Sequence, residues 1–152
     1  MFVKSVSEKF NKIVKNINKP YLVKKLEKDH EVILNFLEKI KGNIKNKNYS
    51  KAFHILNEMF YSYKKHILYE NNYLYPKLFK KYYGYENIIE AIKEIKDEEE
   101  NISKAIDRLM IIYEAPWVIE KNHKEFLSDI ENFSLILKER VDFEESRLFV
   151  LY

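Results

Sequence analysis

The feature that most limits how this chain can fold is its shortage of chain-breaking residues. Two glycines (Gly42, Gly84) and three prolines (Pro20, Pro76, Pro116) are spread over 152 residues. An all-β domain of this length would turn about every 8–12 residues, mostly on Gly, Pro, Asn or Asp. So few breakers leave room only for a few long elements, and apolar residues at helical spacing fill the intervals. Val3, Val6, Phe10, Ile13 and Ile17 make one stripe over about Val3–Asn18, ahead of Pro20. Further helices are predicted over about Tyr21–Lys41, closed by Gly42, and from Tyr49–Ser50, with Ser50 as N-cap, to Pro76 or Tyr83. Two more cover about Tyr85–Glu114 and Trp117–Phe149. No Gly- or Ser-rich linker separates them. The expectation is an all-α fold, with an N-terminal amphipathic helix over residues 1–19 and an up-down-up-down four-helix bundle over 20–152.

Composition narrows the function classes. Apolar residues make up 46% of the chain, which is enough for a core. There is no Cys, which excludes disulfide frameworks, thiolate zinc sites, iron–sulfur clusters and Cys nucleophiles. Lys4, Lys9, Lys12 and Lys15 interrupt the N-terminal apolar residues, so no secretory leader is expected, and no stretch is apolar enough to span a membrane. A cytoplasmic protein is the default. The net charge of +3 is small for a nucleic-acid-binding domain. Lysines crowd residues 1–28, opposed by Glu8 and Glu27, so the first helix could meet an acidic partner or an anionic surface, or pack on its own bundle.

Extending each apolar stripe shows what interrupts it. On the second helix the stripe is Val23, Leu26, His30, Ile33, Leu37 and Ile40. On the third it is Ala52, Leu56, Met59, Tyr63, His66, Glu70 and Tyr73, with His66 and Glu70 stacked one turn apart. The fourth reads Ile88, Ile92, Ile95, Glu99, Ile102, Ile106 and Leu109. The fifth reads Phe126, Ile130, Phe133 and Leu137, then Arg140 or Val141, then Glu144 or Glu145, with Glu144 preferred, then Leu148.

Every bundle helix therefore turns an ionisable group toward the core. A carboxylate there costs several kcal/mol unless it is neutralised or partnered. A bound cation would satisfy all of them, since imidazole and carboxylate are the ligand set of iron, manganese or zinc. In antiparallel helices His30 meets the level of His66 and Glu70, and Glu99 comes within about two turns of Glu144. Tyr63 and Tyr73 flank the proposed site.

Two stretches then point to a family. Asp29-His30-Glu31-Val32-Ile33 resembles the first-helix histidine element of the hemerythrin-like (HHE cation-binding) family. His66-Ile67-Leu68-Tyr69-Glu70, running on to Leu74-Tyr75-Pro76, resembles its HxxxE element, which ends in Leu-aromatic-Pro. His54 and Glu58 share the HxxxE spacing but lie on another face. The second half echoes the first. Asp97-Glu98-Glu99-Glu100 has Glu99 where His is expected, and Arg140-Val141-Asp142-Phe143-Glu144 keeps Glu144 but has Arg140 in the His position.

The resemblance implies a di-iron centre in a four-helix bundle that binds or senses dioxygen, stores iron, or handles nitric oxide. It implies metal ligands at His30, His66, Glu70, Glu99 and Glu144. Three outcomes stay open for the second half: a second ion held by carboxylates, a single ion with Arg140 paired to Glu99 and Glu144, or loss of metal. A substrate-converting activity is less expected than metal and oxygen binding. The competing readings are a metal-free helical interaction module and a ferritin-like ferroxidase, the latter prompted by the ExxH pairs Glu27–His30 and Glu120–His123. His123 lies too far along its helix from Glu144 to share a centre with it, and is read as a surface residue. Oligomeric state is not encoded in any pattern seen here.

Overall fold

The computed structural model describes residues 18–152, and these are helical with no strand among them. Four long helices carry the structure: α1 (Tyr21–Lys45), α2 (Tyr49–Tyr69), α4 (Glu86–Ile112) and α6 (His123–Phe143). Two short ones, α3 (Tyr75–Lys81) and α5 (Pro116–Lys121), extend α2 and precede α6. In this helical bundle α1 lies along α2 and also meets α6, while α4 packs on α2, α3 and α6. Residues 1–17 of the anticipated N-terminal helix lie outside the described residues.

Several helix ends differ from those expected. Gly42 does not close α1, which runs on to Lys45; a side chain at Gly42 would meet nothing within 4 Å. The turn is made instead by Lys47 in the left-handed region, with φ 56°. The N-cap of α2 is Asn48, whose side-chain oxygen accepts from the Lys51 N–H at 3.3 Å, and Ser50 already lies inside the helix. Gly84 does serve as a breaker, with φ 88° between α3 and α4. The segment after Pro116 divides at Asn122 into α5 and α6.

Pro76 does not end the second helical rod. A π-turn over Glu70–Leu74 widens the helix, the Tyr75 N–H bonding back to the Glu70 carbonyl, and α3 continues through Pro76. The extra residue advances the helical face by one position. Tyr73, expected in the core, is therefore 52% exposed, and Leu74 takes its place fully buried. A second π-turn over Glu144–Leu148 closes α6 in the same way, with the Phe149 N–H bonding to the Glu144 carbonyl.

The apolar interior is split in two. One cluster holds Ile33, Leu37, Ile40, Leu56, Met59, Ile106, Phe126 and Ile130. The other holds Leu26, Leu74, Leu78, Ile92, Leu148 and Phe149. Along every long helix the residues between the two clusters are the buried polar ones: His30, His66, Glu70, Glu99, Arg140 and Glu144.

Leu74→Ala should cost about 2–5 kcal/mol, the usual range for emptying a fully buried leucine site. Tyr73→Ala, on the surface side of the same π-turn, should stay within about 1 kcal/mol of the parent chain. Urea denaturation of the two variants checks this, and the reverse order would mean that the turn does not advance the face.

Candidate metal centre

The five ligand candidates read from the sequence are all buried, none more than 4% exposed. His30 comes from α1 and His66 from α2, and Glu70 and Glu144 each open a π-turn. One ligand atom from each of these four lies within 4.8 Å of the others. His30 Nε2 is 3.2 Å from His66 Nε2 and 2.8 Å from a Glu144 carboxylate oxygen. His66 Nε2 is 3.0 Å from Glu70 Oε1. An ion bonded to N and O at about 2.0–2.2 Å holds neighbouring donor atoms about 3 Å apart, so these spacings fit a shared cation.

The carboxylate of Glu70 suits such a cation. It is 0% exposed, and among the described residues its polar neighbours are His66 Nε2, 3.0 Å from Oε1, and the Glu99 carboxyl, which donate to it only when they carry a proton. A proton, its own or one shared with Glu99 or His66, or a bound cation satisfies it. Burial, with the Glu144 charge adding to it, pushes the Glu70 carboxyl up to about 8. Glu144 goes the other way. Burial alone would raise it, but His30 and Arg140 hold it below the usual carboxylate value. Burial acts to lower the His30 pKa, and Glu144 and Glu145 outweigh that and raise it.

Glu99 is not one of the quartet but adjoins it through Glu70. It accepts a hydrogen bond from the Tyr75 hydroxyl at 3.3 Å, and burial together with the neighbouring Glu70 pushes its carboxyl up to about 10. Of the two ion pairs that one of the open outcomes gave Arg140, the one to Glu144 is formed and the one to Glu99 is not. Arg140 Nε donates to Glu144 Oε1 at 2.7 Å, and its other carboxylate neighbour is the exposed Glu98 at 3.8 Å. The reason is local: Arg140 and Glu144 are one turn apart on a single rod, whereas Glu99 is held on α4 by Tyr75. Between Glu144 and Glu145, the former faces inward and the latter is part-exposed, 3.7 Å from His30 Nδ1. Arg140 and Val141, offered as alternatives on the core face, are both buried. His54 and His123 are exposed and away from the centre.

Two supporting residues were not singled out from the sequence. Asp29 Oδ2 lies 3.3 Å from His66 Nδ1, and there the ring N–H can donate while Nε2 keeps its lone pair toward the centre. Lys25 and His66 outweigh burial and keep Asp29 low and charged. The second is Tyr75, in the Leu-aromatic-Pro motif, which holds Glu99. Asp29 follows a lysine at helical spacing and reads as a surface ion-pair residue. Only the approach of α2 reveals its second partner.

A bundle of helices whose core encloses two imidazoles and a set of carboxylates is a cation-binding helical protein. Comparison with known families agrees: residues 21–152 match the hemerythrin HHE cation binding domain, and the chain belongs to that family. No curated protein and no solved structure gives a significant match.

The raised Glu70 carboxyl has a consequence for the metal-free protein. Unfolded, the group titrates near 4.5; folded, at about 8. Between these values the folded state keeps a proton that the unfolded state has lost, so stability falls as pH rises through the window. His30 acts in the same sense, since a raised imidazole stabilises below its unfolded value and loses that contribution at higher pH. Urea denaturation in chelator should show the protein losing stability from about pH 5, with Glu70 and His30 contributing up to about pH 8 and Glu99 carrying the decline on to about pH 10. Glu70→Gln should make the decline shallower and stabilise the metal-free protein at the upper end. An unchanged slope would show that the carboxyl is not buried in this state.

Proposed function

We propose that this chain is a non-haem iron-binding protein of the hemerythrin type, with the ion held by His30, His66, Glu70 and Glu144. It binds or senses a small ligand such as dioxygen or nitric oxide and does not convert an organic substrate. The four long helices are taken as an up-down-up-down bundle around this centre. What supports this above all is the buried quartet of two imidazoles and two carboxylates, with one ligand atom of each within 4.8 Å of the others. An isolated ionised carboxylate is too costly to retain in a core without a compensating charge.

The surrounding residues suit such a role. Ile33, Leu137 and Val141 line the same small cavity as the two histidines and keep it apolar on one side. Asp29 orients the His66 ring, which raises its basicity as a ligand. Iron bound here would supply a Lewis-acidic, redox-active centre suited to a diatomic ligand. No helix among the described residues is long and apolar enough to cross a membrane.

Two measurements test the assignment. Protein loaded anaerobically with ferrous iron, desalted and analysed for metal should retain iron, and His66→Ala should lower its affinity by at least about tenfold. Exposure to air should then produce iron charge-transfer absorption in the parent protein and not in the variant. Metal-free protein with unchanged His66→Ala behaviour would instead identify a helical interaction module. In the second measurement Asp29→Asn, which leaves all four proposed ligands in place, should weaken iron binding by about 10–100-fold. Competition with a chromogenic chelator reads that change.

A further inference from the structure

The chain builds its site twice, and the second copy differs in a way that changes its chemistry. In the first half His30 on α1 is followed by His66 and Glu70 on α2, and a π-turn opens at Glu70 and closes at Leu74. In the second half Glu99 on α4 is followed by Arg140 and Glu144 on α6, and a π-turn opens at Glu144 and closes at Leu148. Leu74 and Leu148 are both fully buried. The π-turns align the halves residue by residue: His30 with Glu99, His66 with Arg140, Glu70 with Glu144. Where the first half places an imidazole, the second places a guanidinium, a permanent cation with no lone pair for a metal.

We infer that the centre holds one cation rather than two, and that Arg140 takes the place of the second as an anchor for a small monoanion bound beside the ion. This rests on the assignment of His30, His66, Glu70 and Glu144 as the ligands. Arg140 is 7% exposed, and its Nε is bonded to Glu144 at 2.7 Å, which fixes the plane of the group. Its Nη1 and Nη2 are buried and have no hydrogen-bond partner among the described residues. The Glu98 carboxylate, 3.8 Å from Nη1, is too far to accept a hydrogen bond and belongs to an exposed side chain. Arg140 borders a cavity of about 10 Å³ together with His30, His66, Tyr63, Glu99 and Glu144. That is room for one atom the size of a water oxygen. Donors this deeply buried are costly unless an acceptor meets them, and a charged acceptor meets them best.

The donors set the ligand class: the buried Nη1 and Nη2 of Arg140 suit a monoanion of water size, of the hydroxide or fluoride type.

The test uses the full chain. Anaerobic ferrous loading followed by metal and protein analysis should give one iron per chain in the parent, and the iron content of each variant normalises its titration. After oxidation with ferricyanide and desalting, fluoride is titrated against the near-ultraviolet absorption of the ferric protein. Fluoride should bind the parent and bind Arg140→Gln at least about tenfold more weakly per iron bound, with helix content unchanged. Arg140→Lys, which keeps the charge but loses the forked donors, should show about a fivefold loss and serves where the glutamine variant does not fold. Two irons per chain in the parent, or fluoride affinity within about twofold across the variants, would overturn the inference and leave the iron assignment standing. Failure of the parent to take up iron would overturn the assignment itself.

Discussion

The structure depends on a layer of charge placed across its own hydrophobic core. Six ionisable side chains, two imidazoles, three carboxylates and one guanidinium, lie between two apolar clusters that would otherwise be one. Such a layer costs far more than an aliphatic one of the same volume unless its charges are matched. Some of the matching is internal: Arg140 with Glu144, Glu144 with His30, Tyr75 with Glu99. Glu70 has no permanent cation beside it, only the His66 ring and the Glu99 carboxyl, and a bound cation would complete the matching. The apolar clusters above and below hold the four helices in register, and that register brings the ligand atoms within reach of each other.

The π-turns are what allow the layer to form where it does. Each begins at a glutamate of the centre and ends on a fully buried leucine. By adding a residue to one turn, each lets a rod present an ionisable group inward and still return to apolar packing a turn later. In the first rod the same widening carries the helix past Pro76, whose missing N–H would otherwise break the ladder. The two halves share this device and differ in what it positions, an imidazole at residue 66 and a guanidinium at residue 140.

Much of this was legible in the chain beforehand, for a specific reason. Periodicity reports which face of a helix is buried, and His30, His66, Glu70, Glu99 and Glu144 each fell on an otherwise apolar stripe. The stripe misplaced Tyr73 because helical period assumes an unbroken ladder, and a single inserted residue shifts every later position. Gly42 misled for a related reason, since a glycine tolerated mid-helix looks the same as one that ends it. Arg140 and Val141 could not be separated because both are buried, and Val141 packs with the Ile33 and Leu37 cluster while also bordering the centre.

From its sequence alone the chain determined that it is helical, where its long helices run and which ionisable groups each turns inward. These are consequences of local spacing and of where the few breakers fall. Only the tertiary structure decided which of those groups meet. It drew His30, His66, Glu70 and Glu144 into one set, left Glu99 to Tyr75, and gave Arg140 to Glu144 rather than to Glu99. It also enlisted Asp29, which belongs to the surface of its own helix until α2 packs beside it. The division has a physical cause: periodicity encodes the direction a side chain takes from its own axis. The distance between two side chains on different helices depends on how far the helices slide and turn against each other, and only the packed core sets that.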